Sequence, residues 1–250
     1  MLPSNSTDLT VILCVFNEKG RLEPAFEELT SALQGRKESV EILIFDNGST
    51  DGTREWLKTL SHPAARVELN ERNLGKGGSI KKAIARSRGR YVVIHDPDME
   101  YHAADIWRLL ERAQQTQAAL VLGSRILSGE IRFKYRINYW GVVILTWMTR
   151  ILYGCRISDA ATAMKLMDGN FARRLKLECD GFDLDFELIN RTARLGGTIA
   201  ESPIDYWPRT VAEGKKIRPW RDGLLALKAI LRDRVQPASS FLLSPSQGMK

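Results

Sequence analysis

The stretch of sequence that decides the fold is YVVIHDPDME, residues 91–100. Its apolar first half predicts a buried strand, and Asp96, Asp98 and Glu100 follow at the carboxyl end of that strand. Open α/β sheets bind their ligands at this end of the strands. Three carboxylates so close together repel one another unless a cation lies among them, and Mg²⁺ or Mn²⁺ prefers such oxygen ligands. The alternative is an ordinary acidic turn, because Asp and Pro are common turn residues.

The composition is that of a soluble globular protein with one large or two small domains. Of the 250 residues, 44% are hydrophobic and 27% are charged, which excludes a disordered chain. The net charge of +7 favours a polyanionic partner: nucleic acid, an anionic membrane or a phosphorylated substrate. The three cysteines are odd in number and widely spaced, so we expect a reducing compartment and no disulfide frame or zinc site.

Neither a secretory signal nor a membrane span is expected. Residues 1–8 lack the apolar core of a signal peptide. The longest uncharged stretch of mainly apolar residues, 137–149, has 13 residues, whereas a spanning helix needs about 20. The sequence therefore predicts a cytoplasmic protein.

The first half of the chain alternates strand and helix patterns. Strands are predicted at 10–16, 41–45, 67–70, 91–95 and 118–123, and helices at 22–33, 53–60, 79–87 and 104–115. This alternation predicts a mostly parallel sheet with right-handed crossovers, an α/β fold. After residue 125 we expect a helix at 137–153, further short elements and a basic tail, of which the last fifteen residues are predicted to be disordered.

Acidic residues follow three of the predicted strands. Glu18, Asp46 and the Asp96/Asp98 pair each lie just beyond a carboxyl end, so they should converge on one crevice. Carboxylates there can accept hydrogen bonds from a ribose hydroxyl or a nucleobase N–H. The segment DNGSTDG, residues 46–52, also has the composition of a turn and helix cap, and Asp46 can fulfil both roles.

The segment NLGKGGS, residues 73–79, is not a standard nucleotide motif. It lacks the spacing of GxxxxGK[ST] and differs from GxGxxG. We interpret it as a glycine-rich turn that caps a helix, from which Lys76 can reach a phosphate.

With these motifs in order, the chain resembles the inverting nucleotide-sugar glycosyltransferases of family 2, and among them the polyprenyl-phosphate sugar synthases of the dolichol-phosphate mannose synthase type. The resemblance covers residues 10–235. Each motif is weak alone, but their shared order is specific. They are VFNE at 15–18, DNGSTDG at 46–52, NLGKGG at 73–78, DPDME at 96–100, GSR at 123–125, Ser158-Asp159 with Lys165, GFDLD at 181–185, and Arg209 followed by EGKK at 213–216.

This resemblance implies a single GT-A domain over residues 1–235, with a nucleotide-binding half at 8–125, an acceptor-binding half with a helical, basic elaboration at 126–235, and a tail at 236–250. By position, the residues that would bind the donor nucleotide are Phe16, Asn17, Glu18, Asp46, Asn47 and Lys76. The ligands of Mg²⁺ or Mn²⁺ would be Asp96, Asp98 and Glu100. Phosphates would be held by Arg125, Arg209, Lys215 and Lys216. The catalytic set would be Asp96, Asp98, Asp159 and Arg125.

The role of Asp159 depends on the acceptor. A sugar hydroxyl needs a general base, and Asp159 is the candidate, whereas a phosphate monoester with a second pKa near 6 is already an anionic nucleophile. The alternative is that Asp159 caps a helix or pairs with an Arg or Lys.

The segment 131–156 contains five basic residues and no acid. Its apolar residues at helical spacing suit a helix at the headgroup level of a membrane; they are Ile137, Trp140, Ile144, Met148 and Ile151. The alternative is a buried amphipathic helix. A second basic cluster at 209–221 is interpreted as a loop that closes over phosphates, or else as a solvated basic face.

We therefore expect a metal-dependent enzyme that moves a sugar, with inversion, from a donor of the GDP-mannose or UDP-glucose type to polyprenyl or dolichyl phosphate. It would contact the cytoplasmic face of the membrane peripherally, alone or through a membrane-embedded partner subunit. The nearest alternative is a family 2 enzyme that uses a saccharide or other hydroxyl acceptor. A non-catalytic nucleotide-sugar sensor is a different class, and no nucleic-acid partner is expected because no nucleic-acid motif accompanies the positive charge.

Overall fold

The computed structural model describes residues 7–129, 132, 134–210 and 218–244. The strands in these residues are β1 (Leu9–Val15), β2 (Val40–Asp46), β3 (Ala65–Leu69), β4 (Tyr91–Ile94), β5 (Leu120–Ser124), β6 (Lys165–Asp168) and β7 (Ile199–Pro203). The helices are α1 (Leu22–Leu33), α2 (Thr53–Thr59), α3 (Gly75–Arg86), α4 (Asp105–Thr116), α5 (Arg136–Tyr153), α6 (Gly169–Arg174), α7 (Leu184–Arg194) and α8 (Pro219–Val235).

The strands form one seven-stranded sheet in the order β3-β2-β1-β4-β6-β5-β7. The pairs β1–β2, β1–β4, β2–β3 and β5–β7 are parallel, whereas β6 is antiparallel to both β4 and β5. The prediction of a mostly parallel α/β sheet is confirmed. Because β6 and β7 come from the second half of the chain, both halves contribute to the same sheet.

Helices cover both faces of the sheet. Side chains alternate between the faces of a strand, so Val11 and Leu13 enter one apolar core while Ile12 enters the other. The first core is closed by α1 and α4, and the second by α3, α7 and α8. The second face therefore carries the C-terminal helices, and α5 packs against α8 on that side.

Helix α3 begins at Gly75, four residues before the predicted start, so the glycines lie inside the helix. Gly75 has a φ of +77°, and a Cβ on it would collide with the backbone oxygen of Asp180. Gly77 is restricted similarly, because its Cβ would lie 2.6 Å from the oxygen of Cys179. These glycines let the start of α3 lie directly on the 179–181 segment, and Gly77 N donates to Asp180 O at 2.8 Å.

The prediction of a disordered tail from residue 236 is wrong for residues 236–244. A 3₁₀ turn forms at Ala238–Phe241, and Phe241 is fully buried. Its ring centroid lies 4.8 Å from the guanidinium carbon of Arg191, and Leu242 pairs with Leu175. Burial of Phe241 and backbone hydrogen bonds to Arg174 and Lys176 hold this segment against the rest of the fold. Residues 245–250 lie outside the described part of the chain.

Two other expectations concern cysteines and membrane spans. Cys14, Cys155 and Cys179 are all free, as predicted. Among the described helices, none combines the length and the apolar character that crossing a membrane requires.

Candidate functional site

Acids from two strand ends meet at Arg209, which follows β7. The Nη2 atom of Arg209 lies 2.6 Å from Asp98 Oδ2, and its Nε lies 3.2 Å from Glu100 Oε1. Its Nη1 lies 3.7 Å from Oε2 of Glu18, which follows β1. The structure therefore brings Glu18, Asp98 and Glu100 to one place at the carboxyl edge of the sheet.

Asp98 is held in a tight turn beside other carboxylates. Met99 has a φ of 60°, and the amide of Glu100 donates to Asp98 Oδ1 at 3.0 Å. Burial, reinforced by the charges of Asp96 and Glu100, raises the pKa of Asp98 to about 6 even though Arg209 opposes this change. At Asp98, burial and the neighbouring carboxylates therefore outweigh the positive charge of Arg209.

Glu100 is occupied by contacts that fix Arg209. The Tyr206 hydroxyl donates to Oε2 at 2.8 Å, while the backbone N and the Nε of Arg209 donate to Oε1 at 3.1 and 3.2 Å. Within the described residues, no three His, Cys, Asp or Glu side chains are grouped so that they could hold a metal ion. In this arrangement Glu100 is turned towards Tyr206 and Arg209, so its role as a third carboxylate ligand stays a prediction.

The remaining pair, Asp96 and Asp98, fits a divalent cation chemically. Both supply carboxylate oxygens, the ligands that Mg²⁺ and Mn²⁺ prefer. The raised pKa of Asp98 indicates that a further positive charge would stabilise its ionised form.

Lys76 lies beside Asp96, with its Nζ 2.6 Å from Asp96 Oδ2. Burial lowers the pKa of Lys76, but the carboxylates of Asp96 and Asp185 outweigh this effect and hold the pKa above its ordinary value. The ammonium also lies 5.5 Å from the ring centroid of Phe182. A protonated lysine is thus fixed at the edge where the acids converge, although the GKGG segment is not a phosphate-binding loop.

Two predicted nucleotide-binding residues at the end of β2 have structural roles. Asp46 has no exposed surface; it accepts from Gly48 N at 3.2 Å and lies 3.3 Å from Arg54 Nε. Asn47 joins β2 to the start of α3, because its Oδ1 accepts from Leu74 N at 2.7 Å. The turn and Arg54 use the carboxylate of Asp46 in this arrangement, and its contact with the nucleotide stays a prediction.

The VFNE segment after β1 is fixed against the 49–53 turn. Asn17 has a φ of 50°. Its backbone N donates to Ser49 Oγ at 2.9 Å, and its side-chain Oδ1 accepts from Thr50 N at 2.8 Å. Phe16 is half-buried and Glu18 is buried. Of the predicted nucleotide-binding residues, Glu18 contacts Arg209 and Lys76 contacts Asp96. We call Asp96, Asp98 and Glu100 the acid cluster.

Arg125 and Asp159 form a buried two-point ion pair. Arg125 Nε and Nη2 donate to the two carboxylate oxygens of Asp159 at 2.7 and 2.8 Å. Burial opposes the charge of Arg125, but Asp159 keeps the pKa of Arg125 above its ordinary value. Asp159 has no exposed surface. The structure thus shows the alternative in which Asp159 pairs with a basic side chain.

An apolar cavity of about 360 Å³ lies between α5 and α8. Its buried part includes Arg125, Asp185 and Tyr206, and Arg209 also lines it. Towards solvent it is lined by apolar side chains of the two helices, chiefly Ile137, Val142, Ile144, Leu145, Met148, Trp220, Leu224 and Leu227. A long apolar group with an anionic end fits this combination of apolar walls and guanidinium groups.

Exposed apolar rows flank the mouth of this cavity. On α5 the row has side chains that are 54–60% exposed: Ile137, Trp140, Ile144, Trp147 and Ile151. The alternative of a buried amphipathic helix is wrong, because only Thr146 and Thr149 of α5 are buried. Trp147 takes the place in the row that was predicted for Met148, which lines the cavity instead.

Helix α8 adds a second row that the sequence analysis did not identify. Its members are 49–82% exposed: Trp220, Leu224, Leu231 and Val235. Their spacing of four, seven and four residues was the available signal, but the surrounding basic residues led to the interpretation of a basic tail. Two neighbouring helices thus present one apolar surface, which we call the α5–α8 face.

Comparison with known proteins identifies the family. Residues 10–178 match the family model of Glycosyl transferase family 2. The chain belongs to this family. It is therefore a glycosyltransferase, and the family predicted from the ordered motifs is confirmed.

Two curated relatives cover most of the transferase. A dolichyl-phosphate beta-glucosyltransferase of Dictyostelium discoideum is 27% identical over 93% of this chain and 75% of the relative. A dodecaprenyl-phosphate galacturonate synthase of Rhizobium johnstonii is 24% identical over 70% of this chain and 52% of the relative. The chain thus spans three quarters of the first relative and about half of the second.

A solved structure shares the fold of the transferase. Glucosyl-3-phosphoglycerate synthase of Mycobacterium tuberculosis, in complex with uridine diphosphate, superposes with a TM-score of 0.71 at 19% identity. The match covers 92% of this chain and 81% of the synthase. The GT-A fold predicted for the transferase is confirmed.

Two residues near the transferase's site were not predicted, and two predicted ones, Lys215 and Lys216, lie outside the residues that the structure describes. Tyr206 was missed although it lies three residues before Arg209. Glu201 was missed as well; both of its carboxylate oxygens accept from Ser158 N at 2.8 Å and so hold the segment that carries Asp159. The signal in the sequence for Glu201 was an acidic residue in the middle of a strand.

Proposed function

We propose that this glycosyltransferase moves a sugar, with inversion, from a nucleotide diphosphate donor of the GDP-mannose or UDP-glucose type to polyprenyl or dolichyl phosphate. One observation carries the proposal: the apolar cavity between α5 and α8 contains Arg125 and Arg209, and Arg209 contacts the acid cluster. An isoprenoid tail fits the apolar walls, and its phosphate fits the guanidinium groups. The names of the Dictyostelium and Rhizobium relatives, which refer to dolichyl and dodecaprenyl phosphate, support it.

The donor would bind at the carboxyl edge of the nucleotide-binding half, residues 8–125. Glu18 would accept hydrogen bonds from the nucleoside, and Lys76 would bind the diphosphate. Asp96 and Asp98 would hold Mg²⁺ or Mn²⁺ together with diphosphate oxygens. The ion, when bound, neutralises the charge that grows on the departing nucleoside diphosphate. The mycobacterial synthase has been solved with Mn²⁺ and uridine diphosphate, which supports this assignment.

Arg209 would exchange its partners when the donor binds. Its guanidinium contacts Asp98, Glu100 and Glu18. A diphosphate competes for such a cation because it offers the same two-point acceptor geometry as a carboxylate. The exchange frees Asp98 for the metal and leaves Glu100 and Tyr206 to position Arg209. Lys215 and Lys216 remain predictions as further phosphate-binding residues.

The acceptor would bind in the half formed by residues 126–235. Arg125 lines the cavity, and the buried carboxylate of Asp159 fixes the orientation of its guanidinium. A phosphate acceptor is anionic near neutral pH, so it needs a positioned cation and not a general base. Asp159 then acts on the reaction through Arg125, which agrees with its full burial.

The α5–α8 face would contact the membrane that contains the lipid. Its exposed tryptophans and aliphatic side chains suit the headgroup region, and basic residues of the acid-free 131–156 segment suit anionic lipids. Ile144 of one row and Trp220 and Leu224 of the other line the cavity, so a lipid tail bound there would stay in contact with the face that we assign to the membrane. We place this contact at the cytoplasmic face; a membrane-embedded partner subunit is a further candidate for the same surface.

A solvent-partition assay tests the proposal. Purified protein is incubated with Mn²⁺, radiolabelled UDP-glucose or GDP-mannose, and polyprenyl phosphate; polyprenol without the phosphate is the matched control. We expect the label to enter the organic phase only with the phosphorylated lipid. Label that remains aqueous while a saccharide acceptor is consumed would reject the lipid acceptor in favour of a hydroxyl acceptor. Absence of both transfer and donor hydrolysis would support a non-catalytic sensor.

A further inference from the structure

Asp185 is a buried acid whose carboxylate faces both Lys165 and the cavity between α5 and α8. It lies in the first turn of α7, is 6% exposed and lines the cavity. Its Oδ1 accepts from Lys165 Nζ at 2.9 Å. Within the described residues, Oδ2 has no hydrogen-bond partner. Because Asp185 lines the cavity, this oxygen can accept a hydrogen bond from a ligand bound there.

The position of Asp185 connects the two halves of the site. Asp185 is one of the carboxylates whose charge acts on Lys76, and Lys76 is bonded to Asp96 at the donor edge. Phe182, three residues earlier in the chain, lies 5.5 Å from Lys76 Nζ and also lines the cavity. The start of α7 therefore lies where the donor diphosphate and the acceptor cavity meet.

Lys165 fixes Asp185 from the sheet. It lies at the start of β6 and has no exposed surface, and its ammonium also donates to the backbone oxygen of Thr162. Because both partners lie at the starts of regular elements, the carboxylate is held rigidly. A rigid acceptor with one unused oxygen is the arrangement that a specific hydrogen bond to a substrate requires.

We propose that Asp185 binds hydroxyl groups of the donor sugar and thereby determines which sugar is transferred. The proposal rests on the proposed function, which places the sugar between the diphosphate beside Lys76 and the acceptor phosphate beside Arg125. A carboxylate accepts hydrogen bonds from sugar hydroxyls but repels phosphates, so Asp185 fits the sugar and not the acceptor's anionic end. Sites that bind a substrate hydroxyl reject analogues that lack it.

The test compares binding of UDP and UDP-glucose, and of GDP and GDP-mannose, to the full chain. In Asp185→Ala we expect the Kd of the nucleotide sugar to rise by roughly 10- to 100-fold, the loss of a hydrogen bond to a charged group. The Kd of the bare nucleotide should change by less than about twofold, because the nucleotide does not reach Asp185. The matched control is Asp183→Ala, whose carboxylate accepts from Gly181 N and lies outside the cavity lining.

A second variant covers the case in which an unpaired Lys165 prevents folding. Lys165→Met combined with Asp185→Ala removes both charges, and proteins often tolerate the replacement of both members of a buried ion pair by apolar residues. Deoxy analogues of the UDP sugar, each lacking one hydroxyl, then supply a readout that a structural role would not change. The wild type should bind at least one deoxy analogue more weakly than UDP-glucose. The variant should bind that analogue and UDP-glucose with the same affinity.

The outcomes separate the two proposals. Equal losses for nucleotide and nucleotide sugar, or undiminished discrimination among deoxy analogues, would overturn the role of Asp185 and leave the proposed function standing. If wild type binds none of the four nucleotides or nucleotide sugars, the proposed function fails, and the role of Asp185 fails with it.

Discussion

Arg209 Nη2 lies 2.6 Å from Asp98 Oδ2, although the two residues are 111 positions apart in the chain. This contact joins the loop after β7 to the turn after β4. It places a positive charge beside the acids, and contacts of Glu100 with Tyr206 and with Arg209 keep that charge in place. The contact therefore connects the phosphate-binding and metal-binding roles proposed for this edge.

Replacing Arg209 should change the pH dependence of the reaction. Arg209 lowers the pKa of Asp98, which stands at about 6 under the opposing effects of burial, Asp96 and Glu100. An acid must be ionised to hold a cation, so kcat/KM should fall as the pH falls through about 6. Arg209→Ala removes the charge that lowers the pKa of Asp98, so the fall of kcat/KM at low pH should begin at a higher pH. Arg209→Lys keeps the charge, so its pH profile of kcat/KM should lie closer to that of the wild type. Identical pH profiles for the wild type and both variants would contradict this role.

Removing the Asp98 carboxylate should nearly abolish transfer. Asp98→Ala should reduce kcat by at least roughly 10²–10³-fold, by comparison with other electrostatic stabilisers of developing charge. The matched control is Asp180→Ala, whose side chain pairs with Lys81 and is 70% exposed. Steady-state rates at saturating Mn²⁺ provide the measurement. Activity of Asp98→Ala within a few-fold of wild type would refute the metal assignment.

Filling the cavity should impair lipid binding selectively. Gly141 lines the cavity within α5, and a Cβ there would meet nothing within 4 Å. Gly141→Leu should therefore fold, yet its side chain should occupy the space of the isoprenoid tail. We expect the KM for polyprenyl phosphate to rise at least roughly 10-fold, since about 1.5–3 kcal/mol is associated with burial of a large apolar group. The Kd for the nucleotide sugar should not change.

Gly141→Ala is the control for this variant. It adds one methyl group and should stabilise α5 by about 0.5–1 kcal/mol, because glycine loses more conformational freedom in a helix. If Gly141→Ala raises the KM as much as Gly141→Leu, the effect does not come from filling the cavity.

The α5–α8 face should determine membrane binding. Trp147 is 60% exposed, and Trp147→Glu places a charge in the middle of the apolar row. Sedimentation with anionic phospholipid vesicles should show a partition coefficient lowered by roughly 10-fold or more, from lost apolar burial and charge repulsion. Gln114→Glu on α4 changes the net charge equally on the opposite side of the sheet and should leave partitioning near the wild-type value. Equal partitioning of both variants would remove this face from the membrane contact.

His95 should make folding stability depend on pH. Burial lowers its pKa from 6.5 to about 4, so the unfolded chain binds a proton in this range that the folded protein does not. The free energy of unfolding should then fall as the pH drops from about 6.5 towards about 4, by up to about 1.4 kcal/mol per pH unit for one proton. Denaturant titrations should show a shallower decline in His95→Phe. His102→Gln, at an exposed position, should retain the wild-type decline, and parallel declines in all three would contradict the role of His95.

The first half of the fold was predictable because its apolar runs are strong. Strands β1, β2, β4 and β5 lie within one or two residues of their predicted bounds, since each is almost fully buried. Strand β6 was not predicted, because its four residues begin with a buried lysine whose partner is Asp185. Local pattern gives no sign of such a pairing, and an antiparallel strand between two others depends on the complete sheet.

The site was predictable as a set of residues but not as a set of contacts. The converging acids follow from strand ends, whereas the pairing of Glu100 with Arg209, 109 positions away, depends on the fold of the whole chain. Asp46 shows the same limit at the end of β2. Its residue type and its position after a strand suit both a ligand-binding residue and a turn residue. Its complete burial beside Arg54, which the sequence does not reveal, shows that the turn uses its carboxylate.

Photocrosslinking with a diazirine-bearing polyprenyl phosphate, mapped by mass spectrometry, tests most directly whether the lipid acceptor lies between α5 and α8. We expect the label on cavity-lining residues of α5 and α8, such as Leu145 and Leu227, with competition by unlabelled polyprenyl phosphate and a strong reduction in Gly141→Leu. Label spread evenly over the surface, or concentrated on α1 and α4 across the sheet, would contradict the acceptor site.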